Sequence, residues 1–339
     1  MARSLRRVPI LLLFLLGIGY YKLTKLYSVS ISPVIYQSEE DPDILRICHC
    51  DSPIIEAYPK NLPDSTCSKR AKARGLGQKV ISFALFGEYF GDDGQPNWYS
   101  QGAWDNAELL PVYYGSDWIM RLYHNQVGFD EKEMRFLCDL KCNHSHVDLC
   151  YVGNIPHYEQ IEEHPGTLWR FLPMGDPLVD VFHVRDLDSR PSDRETAALA
   201  EFHESQEQFH ILRDHRNHRA AILAGMWGGK PSIDRIGMTT LLRKMLTASN
   251  KFRDHAQDKV FDQFILTEAL FPAIKDVAMA HDSFHCGLFR VHSVRPFPTS
   301  RPMEPYNFIG AQMFGHAKPY RDVCPPPCRP KHHMDWLHC

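Results

Sequence analysis

VDVFHVRDLDSRPSDRE, residues 179–195, runs from an apolar stretch straight into charge, with Asp186 and Asp188 separated by one leucine. The apolar residues ahead of the charges predict a buried strand. Behind them, Ser192 with Glu195 three residues later forms a capping box, and TAALAEFHES continues as a helix. Two carboxylates at the carboxyl end of a strand occupy the place where open α/β sheets bind ligands. Once the chain turns, one intervening residue lets both carboxylates face the same ion, and hard oxygen ligands suit Mg2+ or Mn2+. Arg185 and Arg190 flank the pair, able to screen the carboxylates or to contact phosphate. Alone the motif is weak: about one D-x-D triplet arises by chance in a chain of this length. Asp41-Pro42-Asp43 repeats it in a linker-like segment. A solvated turn whose arginines simply pair with the aspartates is the competing reading.

Outward from the turn, the pattern alternates. VISFALFG (80–87) reads as a short buried strand ending in glycine. A helical segment from Gly102 puts Ala103, Ala107 and Leu110 on one face, with Pro111 interrupting it. DWIMRLYHN (117–125) is a second strand, EKEMRFLCDLKC (131–142) a helix and VDLCYV (147–152) a third strand. After the quoted segment come a strand over 209–214, helices over about 232–248 and 256–270, and a strand ending in His281 and Asp282. Strands alternating with helices predict an α/β fold with a mostly parallel sheet. The histidine-rich run from His203 to His218 shares no helical face and reads as mainly surface. Prolines accumulate from Arg295, which places the end of the domain near 300.

The 339 residues are 44% hydrophobic and 23% charged, enough apolar material for one sizeable core or two modest ones. Net charge is -3 with the signs interspersed, so no basic stripe marks a nucleic-acid partner. Residues 1–7 carry three arginines and precede an apolar run that lysines and tyrosines extend to about 27. Positive charge on the N-terminal flank predicts a cytosolic tail over 1–7 and a single-pass signal-anchor over 8–27, with the rest of the chain in a lumen. A cleaved signal peptide is the alternative. Residues 28–78, with SEEDPD and KRAKAR, read as a stem, and 301–339 as a Pro/Cys-rich tail. Ten clustered cysteines predict a disulfide framework of undetermined pairing in an oxidising compartment. Zinc ligation in the tail is the lesser reading. Asn143-His144-Ser145 is a glycosylation sequon at Asn143.

Several blocks in order carry a further likeness: KVISFALFG, GAWDNAELLPVYYGSDWIMRLYHN, GTLWRFLPMGDPLVDVFHVRDLDSRPSDRE, FHILRDHRNHRAAILAGMWGGK, DQFILTEALFP and AHDSFHC. Over roughly 79–290 the chain resembles GT-A-type nucleotide-diphospho-sugar transferases of the polysaccharide glycosyltransferase kind. The resemblance implies a GT-A-like, Rossmann-like mixed sheet over 79–300. It implies Asp186 and Asp188 holding Mn2+ or Mg2+ and the donor diphosphate, with His281 or His285 as a late metal or phosphate contact. Leu85, Phe86 and Gly87 would meet the nucleotide. Gly225, Met226, Trp227, Gly228 and Gln263 would line the sugar or acceptor side, although Trp227 also reads as a core aromatic. Asp262 and Asp282 are the candidate bases if the reaction inverts, while the Asp262-Gln263 pair leans towards retention. The implied donor is a UDP- or GDP-linked sugar, the acceptor a glycan or glycoprotein, and the residence a Golgi or ER membrane. A non-catalytic binding protein of the same fold and a luminal nucleotide-sugar hydrolase are the alternatives.

Overall fold

The quoted stretch is strand β4 (Val179–Arg185), and it lies in the middle of an eight-stranded sheet. The other strands are β1 (Gln78–Leu85), β2 (Trp118–His124), β3 (Val147–Tyr151), β5 (Phe209–Arg213), β6 (Met226–Gly229), β7 (Ala278–Asp282) and β8 (Ser293–Arg295). Their order is β3-β2-β1-β4-β6-β5-β7-β8, parallel except for β6, which runs antiparallel between β4 and β5. The computed structural model describes residues 61–339 with Cys48 and Cys50, apart from 127–130, 159, 257, 259 and 314–317. These residues belong to one unit, Pro42–Cys339. The expected anchor over 8–27 and the Asp41-Pro42-Asp43 triplet lie outside them. Among the described residues no helix is long and apolar enough to cross a membrane.

Helices cover the sheet: α1 (Lys69–Ala73), α2 (Trp98–Tyr114), α3 (Glu131–Asn143), α4 (Asp193–Glu204) and α5 (Arg235–Lys251), followed by the short α6 (Phe261–Ile265) and α7 (Phe271–Ile274). Period-2 alternation assigns neighbouring side chains to different cores. From β1, Ile81, Phe83 and Leu85 join Ala103, Ala107 and Leu110 of α2 and Leu137 and Leu140 of α3. Val80 instead joins a larger cluster with Trp169, Phe171, Phe182, Trp227 and Ile265. Both faces of β2 are buried, as a central strand requires. Pro111 does not end α2, which continues to Tyr114.

Four features differ from the sequence reading. No strand is expected over LAGMWGGK (223–230), yet it contains β6. Glycine is needed there because a Cβ at Gly228 would overlap the Phe182 carbonyl and the His183 ring. The helix expected over 256–270 is only α6, continued by a π turn at Leu266–Leu270. The expected stem does not extend to 78: α1 buries Ala71, and Ser65 and Thr66 donate hydrogen bonds to the buried Asp176. The expected tail over 301–339 is packed onto the fold, with Arg301, Cys324, Cys328 and Cys339 buried.

All ten cysteines are paired: Cys48–Cys138, Cys50–Cys142, Cys67–Cys150, Cys286–Cys328 and Cys324–Cys339. The tail cysteines are therefore not thiolate ligands for zinc. Cys67–Cys150 joins positions 83 residues apart, a closure that stabilises the folded chain by about 4–5 kcal/mol in the chain-entropy account.

Of the histidine run, His210 is buried and His203, His215 and His218 are half-buried, and His210 lies among further histidines from outside the run. His183 of β4, His210 of β5 and His281 of β7 are buried on the sheet, against α4, which carries His203. His210 shares a 2.7 Å hydrogen bond with His281, and its ring stacks on Phe202. Burial holds His183 and His210 far below the ordinary imidazole range, and pushes His203 down to about 4 and His124 to about 3. A depressed histidine is neutral in the fold while its unfolded counterpart takes a proton, so stability is complete above about pH 6.5 and falls as pH drops towards 3. At pH 5 each fully buried ring is expected to cost about 2 kcal/mol. Thermal melts from pH 7 to 5 should show a falling midpoint, and His124→Leu should reduce that slope. A midpoint independent of pH over this range would contradict these buried neutral rings.

Candidate active site

The turn after β4 leaves the Asp186 side chain half-exposed and buries Asp188. Leu187, between them, is buried in the apolar core, which answers why a leucine separates two carboxylates. Gly102 of α2 approaches the Leu187 carbonyl so closely that a Cβ there would overlap it. Arg190 donates to the Leu187 carbonyl at 2.7 Å and the Ser189 carbonyl at 3.2 Å, and Asn106 donates to Ser189 at 3.0 Å. The Ser192 side chain caps α4 at Glu195, as the capping box predicts. Glu195 does not reach back; its carboxylate pairs with Arg185 and accepts from the Tyr114 hydroxyl.

Neither flanking arginine therefore does what the sequence implied. Arg185 is buried against Glu195 and Ser189, and Arg190 pairs with Asp105 at 2.7 Å. Both are held by the scaffold rather than bonded to the aspartates, although the charge of Asp186 still acts on Arg185. The partner of Asp186 is Arg170, from the 3-10 stretch Gly166–Gly175. Its other terminal nitrogen holds Asp262 at 2.7 Å. Arg170 was missed in the sequence, although an arginine inside the apolar run GTLWRFLPMG is a signal of a buried, paired cation.

Asp188 accepts a 2.8 Å hydrogen bond from the Gln312 amide. Burial, and then the charge of Asp186, push the Asp188 carboxyl above its usual range. Burial raises Asp262 as well, against the pull of Arg170. Burial and then the charges of Asp188 and Asp186 raise the Tyr99 phenol. Gly225, just before β6, gives Asp186 its space: a Cβ there would overlap the Asp186 carboxylate.

Other expected residues fall into two groups. Phe86 and Gly87 end β1, the strand next to β4, and Phe86 stands edge-on to Trp169, one residue from Arg170. Leu85 is core, and Gln263 donates its backbone N–H to Asp262. Asn143 is exposed at the end of α3, as a sequon requires. The rest are elsewhere. Trp227 is 1% exposed, packed edge-on to Phe171 and Phe182; Met226 and Gly228 are buried in β6. These three are part of the sheet interior. His281 sits three strand positions from β4, roughly 14 Å away, bonded to His210 and Glu201. That separation keeps it from sharing an ion with Asp186. Asp282 is fully buried, paired with Arg213 at 2.6 Å and accepting from the Phe284 and His285 backbone, so its carboxylate is closed off from solvent. His285 bonds the Arg216 carbonyl.

The donor set suits a hard cation with an anionic substrate. Arg170 pairs with Asp186 and Asp262, and the charge of Asp186 adds to burial in disfavouring the ionised Asp188, a cost that a divalent ion would relieve. Among the described residues no group of three or more His, Cys, Asp or Glu is placed to hold a metal by itself, so the remaining ligands would come from substrate oxygens or water.

No protein-family model matches the chain, and no curated protein matches it. Among solved structures it is similar to the PaToxG glycosyltransferase, with 10% identity and a TM-score of 0.37 over 60% of this chain and 71% of that one.

Proposed function

We propose that this chain is a metal-dependent glycosyltransferase that moves a sugar from a nucleotide-diphosphate donor to a glycan or glycoprotein hydroxyl in the secretory-pathway lumen. The observation that carries the reading is the acidic edge itself: Asp186 and Asp188 lie just past the carboxyl end of the central strand β4, with Arg170 and Gly225 against Asp186 and Asp262 on the same arginine. The ordered family-like blocks and the mixed, mostly parallel sheet support it. Five disulfides and the exposed Asn143 sequon support the lumen and a type II anchor over 8–27.

Asp186 and Asp188 would hold Mn2+ or Mg2+. A divalent ion there supplies Lewis-acid stabilisation of the departing nucleoside diphosphate. Arg170 keeps Asp186 and Asp262 in fixed positions, which removes their reorganisation from the reaction. Asp262 is engaged by Arg170 and lies near Asp186, so its role is to position the arginine and the sugar side. Phe86 and Gly87 leave the β1 end open to the nucleotide.

The test is a screen of UDP- and GDP-sugars against the full chain with Mn2+, reading binding, free sugar and transferred sugar. Transfer to a glycan acceptor that requires Mn2+ supports the reading. Free sugar unaffected by any acceptor would make the chain a hydrolase, and no binding of any donor would leave only a binding protein of another kind.

A further inference from the structure

Gln312 is 124 positions from Asp188 in sequence, yet its amide lies 2.8 Å from an Asp188 oxygen. The contact is not isolated. The Met313 N–H donates to the Asp188 carbonyl at 2.9 Å, and Ser189 pairs with Gln312 as an antiparallel bridge. The strap that brings Gln312 there is tied along its length. Ile309 donates its backbone N–H to Asp214, Arg301 pairs with Asp214, and Gly310 passes so near Met226 that a Cβ would overlap its sulfur. Cys286–Cys328 and Cys324–Cys339 then fasten the segment beyond it.

We infer that this C-terminal strap is part of the active site and that Gln312 is a positioning residue for Asp188. The inference rests on the reading of Asp186 and Asp188 as cation ligands. The geometry gives the reason: by engaging one Asp188 oxygen, the amide sets the carboxylate's rotation and leaves the other oxygen for the ion. Such outer partners orient ligands and tune their affinity. An amide suits this position because it donates without adding a charge to a site that already holds two close carboxylates.

The test is Mn2+ binding to the full chain, followed by the loss of free-Mn2+ electron paramagnetic resonance signal. Gln312→Ala should weaken binding about tenfold with the thermal midpoint unchanged. Gln312→Glu, which offers a third carboxylate, should tighten it several-fold. A purely structural role would weaken binding in both variants or in neither, and either result overturns the inference. Binding that Asp188→Asn abolishes but both Gln312 variants leave within a factor of about two overturns the inference alone. No Mn2+ binding in the native chain overturns both it and the proposed function.

Discussion

Asp188→Asn should lower sugar transfer by at least about 1,000-fold while leaving the chain as stable as before, or slightly more so. Losing one preorganised electrostatic contact to a transition state costs about 100- to 1,000-fold, and in the proposed function the substitution would also remove one of the two carboxylates that hold the cation. The fold should not suffer. Asparagine keeps the size of the side chain, and its carbonyl can still accept from Gln312. Burial and the charge of Asp186 both disfavour the ionised form of Asp188. Removing that charge relieves a cost in the folded state. Transfer assays paired with thermal melts check both halves. Full activity in the variant would end the reading of this turn as the metal grip. A large fall in midpoint would mean that Asp188 is scaffold.

Asp214→Ala should have the opposite signature, with stability collapsing before function can be measured. Asp214 follows β5 and is fully buried. It accepts from Arg194 at 2.8 and 2.9 Å, Arg301 at 2.7 Å, Ser283 at 2.6 Å and the Ile309 N–H at 3.1 Å. Burial alone would raise its carboxyl, but Arg194 and Arg301 outweigh it and hold the group far below the usual range. Removing the carboxylate strands two buried guanidiniums, a loss of about 3–5 kcal/mol or more. The same residue ties α4, the end of β7 and the strap that carries Gln312. Urea unfolding of Asp214→Ala and of the milder Asp214→Asn should show the midpoint falling in that order. A cost below about 1 kcal/mol for the alanine variant would remove Asp214 from this role.

Much of the scaffold was legible because it is written in short periods. β1, β2, β3, β4, β5 and β7 each announce themselves as apolar runs of strand length, and α2, α3, α4 and α5 as amphipathic or capped segments. What misled the reading was local chemistry with a tertiary cause. MWGG is too short and glycine-rich to announce a strand, and becomes one because β4 and β5 pair with it from both sides. KRAKAR looks like solvated linker until Arg74 is seen pairing with the buried Asp148.

The site divides in the same way. Sequence alone determined the Asp186-Leu187-Asp188 turn, because a strand end and a helix cap bracket it within a few residues. It also singled out Asp262 and Gly225 through the family-like blocks. Only the tertiary structure decided which charges meet: Arg170 rather than Arg185 or Arg190 on Asp186, Gln312 on Asp188, and His281 and Asp282 turned to other partners. The physical reason is range. Backbone periodicity and capping act over three or four residues, whereas an ion pair or an amide contact joins whatever the sheet order brings within 3 Å, however far apart along the chain.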